Sequence, residues 1–209
     1  MDEEQKLLRV HLGTQASYEH FFGHDASLEG LFPPGGELSA HLLLTLDTRD
    51  PLLAHLKLNS IRHFRLAHPF HYSQGETFAY RQSEGSIEFI KPSWFGKYVD
   101  WPEGSIDWPA YYGAYPTHFK TVPATLEIAQ PTYDDDFDLT IILGSAQESL
   151  RQQSGEPICP VCSKLTRLIA RMPDEIEGVA ATLWGGNYVD TLFWYCDTCQ
   201  IVLTHNECS

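Results

Sequence analysis

The sequence lacks any run of about 18 apolar residues, the length that a membrane-crossing helix needs. It contains no G-x-G-x-x-G, no P-loop, no G-x-S-x-G and no H-E-x-x-H, so the usual signatures of several large enzyme classes are missing. Basic residues are scarce: 14 Lys and Arg stand against 28 Asp and Glu, a formal charge of −14. Binding to nucleic acid leans on cations that neutralise phosphates, so nucleic acid is not the expected partner. The first residues, Met1-Asp2-Glu3-Glu4-Gln5-Lys6, are acidic where a secretory signal would be basic, and the expected location is the cytosol. Cysteines are few as well, five in all, too sparse for a disulfide framework.

What is present is ordinary globular composition, 43% hydrophobic and 20% charged, with a β-rich pattern. After the break at Pro33-Pro34-Gly35-Gly36, short apolar or alternating runs recur at 38–46, 61–66, 78–81, 87–89, 126–128 and 139–143. The Ser83-Glu84-Gly85-Ser86 stretch reads as the turn of a hairpin. At the N-terminus Leu7, Leu8, His11 and Leu12 share one helical face while Leu8, Val10 and Leu12 also alternate; a short helix is expected there. His20 and His24, four apart around Gly23, read as surface histidines. The fold class expected is α+β, mainly β: an antiparallel β-rich domain over 1–155 followed by a smaller C-terminal module over 156–209, with the Ser/Gln/Gly-rich stretch 144–155 as linker.

That module is marked by Cys159-Pro160-Val161-Cys162 and Cys196-Asp197-Thr198-Cys199. Each C-x-x-C turn aims two sulfurs to one side, so Cys159, Cys162, Cys196 and Cys199 form a set for one tetrahedral metal ion, with Cys208 left over. Four thiolates leave no open coordination position, which makes the role structural. The first knuckle, running on into Ser163-Lys164, resembles the C-P-x-C-G-K turn of zinc-ribbon and rubredoxin-like proteins, with Ser163 where Gly is usual. The resemblance covers 156–209 only and implies a ribbon with structural Zn2+; its strands would be 165–170, 188–195 and 201–204. Ser163 at a position suited to positive φ implies strain or a different turn. The second knuckle lacks the Pro and Gly of the iron-binding relatives, which favours zinc.

Three further groups are candidates. His55, His63, His68 and His71 fall close together and offer a second metal site or a general base, although strand geometry sends His63 and His68 to opposite faces. Residues 92–119 carry Trp94, Trp101, Trp108, Tyr111 and Tyr112 on a Pro-broken loop, either pinning that loop to the domain or forming a binding platform. Asp134, Asp136 and Asp138 lack the Gly and Glu that a calcium loop requires and read as a solvated turn. Together these point to a non-enzymatic cytosolic zinc-binding protein acting as an adaptor or immunity-like module for a protein partner. A metal-dependent enzyme at 55–71 and a nucleic-acid-associated ribbon are the alternatives.

Overall fold

A computed structural model describes residues 6–14, 17–24, 40–58, 61–70, 77–90, 119–129, 139–144, 157–179, 183 and 189–208. Among them are eleven strands: β1 Leu7–Leu12, β2 His20–Phe22, β3 His41–Asp47, β4 His63–His68, β5 Phe78–Gln82, β6 Ile87–Ile90, β7 Val122–Ala129, β8 Ile141–Leu143, β9 Arg167–Met172, β10 Val189–Cys196 and β11 Ile201–Cys208. The one helical element described is a 3-10 turn, Pro51–Leu56, capped by Asp50, whose carboxylate accepts from the Leu52 N–H.

All strands join one curled antiparallel sheet in the order β4-β3-β2-β7-β1-β8-β9-β10-β11-β5-β6. The strands that follow the cysteine knuckles therefore lie inside the sheet, with β8 on one flank and β5 on the other. The helix expected near the N-terminus is instead strand β1, paired with β7 on one side and β8 on the other. A six-residue helix is marginal in water, whereas here neighbours on both sides take the backbone hydrogen bonds. Leu8 and Val10 are buried in the process, as their alternation allows.

The main core lies inside the curl, where Leu8, Phe22, Leu44, Phe64, Leu66, Phe78, Leu143, Phe193 and Val202 meet. A second, smaller cluster covers the opposite face of β9–β11 and β5, with Leu168, Leu192, Trp194, Ile201 and Leu203 packed around Cys159 and Cys196. Along β10, Phe193 and Tyr195 enter the first cluster while Leu192, Trp194 and Cys196 enter the second, the period-two alternation of a strand buried on both faces.

The curl brings the edge strand β4 against β5 without a backbone ladder between them. The Tyr80 hydroxyl accepts from the Ala67 N–H (2.9 Å) and donates to the Arg65 carbonyl (3.0 Å), and Gln82 Oε1 accepts from the Arg65 N–H (2.7 Å). Side chains thus satisfy edge groups that would otherwise be buried unpaired. Across the interior, Phe64 of β4 meets the Tyr195 ring of β10 with centroids 5.7 Å apart. The Ser83–Ser86 turn closes the β5–β6 hairpin as its sequence indicates, with Gln82 opposite Ile87 and Ser83 N–H donating to Ser86 O. Gly23 sits at the close crossing of β2 with the chain before β7: φ is +70°, and a Cβ there would lie 2.5 Å from the Lys120 carbonyl oxygen.

Candidate metal centre

Both C-x-x-C pairs fold into the same kind of turn. In the first, the Ser163 N–H donates to Cys159 O (2.9 Å) and the Cys159 N–H donates to Lys164 O (2.8 Å). An isolated bridge between Ile158 and Leu165 closes it. The second knuckle is the β10–β11 connection itself, in which the Gln200 N–H donates to Cys196 O (2.7 Å). The residue after the second cysteine is left-handed in each, Ser163 at φ 58° and Gln200 at φ 55°. Ser163 thus adopts the conformation that Gly would adopt most easily, and the turn is kept at some backbone cost.

The ligand atoms of Cys159, Cys162, Cys196 and Cys199 all lie within 4.8 Å of one another. Cys162 Sγ and Cys196 Sγ are 3.6 Å apart. A tetrahedron of thiolates at about 2.3 Å from zinc has sulfurs about 3.8 Å apart, so the spacing suits a single ion. Cys159 and Cys196 are buried, Cys162 and Cys199 half-buried. The Lys164 N–H aimed at Cys162 draws that thiol down to about 7. Burial, reinforced by the neighbouring sulfurs, pushes Cys199 up to about 12, and burial also raises Cys196. Four thiols at this spacing resist ionising together unless a cation neutralises them, and a divalent ion is the group that would do so.

Around the sulfurs, Lys164 Nζ reaches Thr198 Oγ1 at 3.2 Å, tying one knuckle to the other. Arg167 holds Asp197, between Cys196 and Cys199, through Nε (3.0 and 3.1 Å) and Nη2 (2.8 Å). Cys208 closes β11 opposite Val189, and seven residues of strand from Ile201 put it about 23 Å from the knuckle. His205 is stacked on Trp194 instead, with ring centroids 6.3 Å apart.

Of the histidines singled out in the sequence, the three that are described, His55, His63 and His68, form no metal-holding group. His55 lies in the 3-10 turn with Nδ1 donating to Leu52 O (2.8 Å). His63 is half-buried with Nε2 3.1 Å from Glu19 Oε2. His68 is buried, its Nδ1 2.8 Å from Thr204 Oγ1 and its ring between Phe70 and Phe78. His71, the aromatic residues Trp94, Trp101, Trp108, Tyr111 and Tyr112, and the carboxylates at 134–138 lie outside the described residues. The last residue of the aromatic stretch, Phe119, is buried against Phe22, His41 and Phe70.

One polar centre was not legible in the sequence. His20 is not a surface residue but 1% exposed on β2. Its Nε2 donates to Asp50 Oδ2 (2.9 Å) and its Nδ1 accepts from the Asp47 N–H (3.1 Å). With both ring nitrogens committed, this pair is an anchor with no lone pair to offer as a base. Beside it, the Arg49 guanidinium holds the Asp47 carboxyl well below the usual carboxylate range. The only signal for His20 is its place two residues before Phe22, and a three-residue strand is too short to display a period.

No protein-family model matches the chain, and no curated protein or solved structure matches it either; what the centre can do is given by its four sulfurs and their setting.

Proposed function

We propose that this is a structural-zinc protein whose metal ties both knuckles to the middle of the sheet, and whose exposed first knuckle engages another protein. The observation that carries the metal reading is the four-sulfur cluster. A complete thiolate shell suits zinc and leaves no position for substrate, so the ion's contribution is folding energy. The interaction reading draws on Ile158, Val161 and Leu165, exposed by 53%, 48% and 67%, all on the first knuckle, with Ile158 and Leu165 bridged side by side. Large apolar side chains grouped at one place in water are characteristic of contact surfaces. The charge of −14 favours a basic partner over a polyanion. Thiols kept as metal ligands suit the cytosol. No helix among the described residues is long and apolar enough to cross a membrane.

Metal analysis of the purified chain tests the first half: one zinc per chain is expected, and none in Cys196→Ser. For the second half, cross-linking and mass spectrometry on the native protein should identify a partner whose cross-links converge on 158–165 and disappear in Val161→Asp. If the variant retains the same partners, the contact lies elsewhere. The dispersal of His55, His63 and His68 gives no support to the metal-enzyme alternative.

A further inference from the structure

Arg167 touches two parts of the molecule that are remote in sequence. Its guanidinium forks onto the Asp197 carboxylate in the second knuckle, and its Nη2 also donates to the Leu56 carbonyl, the last residue of the 3-10 turn. The same group lies over the Tyr195 ring, 5.3 Å from its centroid, which fixes its plane between the two. Leu56 is itself 3% exposed, and Lys57 closes the turn in the left-handed region with its N–H on Ala54 O. At the other end Asp50 caps the turn and receives His20 Nε2. A continuous set of polar contacts therefore runs from Asp197, between two metal-ligating cysteines, through Arg167 to the segment 50–57. A guanidinium can serve two acceptors in one plane; an ammonium has no such fork.

We propose that Arg167 is a positioning residue for the metal, coupling occupancy of the four cysteines to the order of the 3-10 turn, so that loosening either one loosens the other. This rests on the zinc reading above. Coupling of this kind is reciprocal: if the bound metal orders 50–57 through Arg167, then ordering 50–57 must retain the metal.

The test uses the zinc-loaded full chain and two readouts, the rate of zinc transfer to a chromophoric chelator and amide hydrogen exchange at 52–57. Arg167→Gln should transfer zinc several-fold faster and exchange faster at 52–57, while β1 and β7 are unchanged. Ala54→Gly, an exposed change that leaves the core intact, should speed zinc transfer in the native background and have no further effect in Arg167→Gln. Arg167→Lys should behave like Arg167→Gln. Unchanged transfer in Ala54→Gly, or equal effects of Ala54→Gly in both backgrounds, overturns the coupling. Acceleration of exchange across β1 and β7 in Arg167→Gln also overturns it, because the effect would then be general destabilisation. A chain that holds no zinc at all removes the metal reading and the coupling together, whereas zinc held with unaltered rates removes the coupling alone.

Discussion

The His20 ring donates to Asp50 across 2.9 Å with both side chains buried, joining β2 to the cap of the 3-10 turn. Asp50→Ala should destabilise the fold by about 2–4 kcal/mol, because it removes an N-cap and strands a buried ring N–H. Urea denaturation read by tryptophan fluorescence measures this; a loss below 1 kcal/mol would mean that water replaces the carboxylate.

Tyr80→Phe removes one oxygen and leaves two backbone groups of β4, Ala67 N–H and Arg65 C=O, without their partner. The expected cost is about 2–3 kcal/mol with little change in denaturant slope, since packing is kept. Exchange at the Ala67 amide should rise more than the global change accounts for.

Much of this was readable in the chain and some was not. The hairpin at 83–86, the apolar runs of β3, β4 and β8, and the cysteine set follow from local signals: turn residues, period two and C-x-x-C spacing. At Leu7–Leu12 six residues satisfy both the helical and the strand period, and the presence of β7 and β8 on either side decides for strand. Nor did the sequence reveal that the strands following the knuckles would be flanked by β8 and β5. Strand neighbours are chosen by packing across long loops, and no residue in β11 announces that its partner is Phe78–Arg81. The His20 and Arg167 contacts were invisible for the same reason.

Acid should weaken the fold in two separable steps. His68 is held well below its ordinary 6.5, chiefly by burial and then by His205 and His41, so the unfolded chain takes up that proton first. Its contribution is complete above pH 6.5 and declines as pH falls below that value. Asp47 is also lowered, by its hydrogen bonds from Arg49, and its contribution persists until pH falls below the ordinary 3.8. Stability measured from pH 7.5 to 5 should therefore fall in the native chain and fall less in His68→Gln. Arg49→Ala should lower stability by a near-constant amount above about pH 4, with the difference from the native chain shrinking as pH falls further. A flat profile between 7.5 and 5 in the native chain contradicts the first step.

Ser163→Gly should stabilise the zinc-loaded protein by about 0.5–1 kcal/mol, since glycine meets φ 58° without a Cβ penalty. Ser163→Val should act in the opposite direction. Thermal unfolding of the two variants decides; equal midpoints would mean that the first knuckle relaxes to another conformation.

Exhaustive chelation, or Cys196→Ser, should abolish cooperative unfolding of β9–β11. The loss should extend to β5 and β6, whose backbone ladder to the rest of the sheet, among the described residues, runs through β11. Exchange at 78–90 should then rise together with exchange at 189–208. Continued protection of 78–90 after verified metal removal would show that the hairpin stands without its neighbour.

That attachment also sets a timetable for synthesis. Arg81 lies opposite Ile201, so the β5–β6 hairpin leaves the ribosome well before the strand that completes its ladder. At translation rates of about 5–20 residues per second the interval is on the order of 10 s, far longer than hairpin formation itself. Throughout it the edge of β5 that finally faces Ile201–Thr204 is without its ladder, an open template for pairing with another chain.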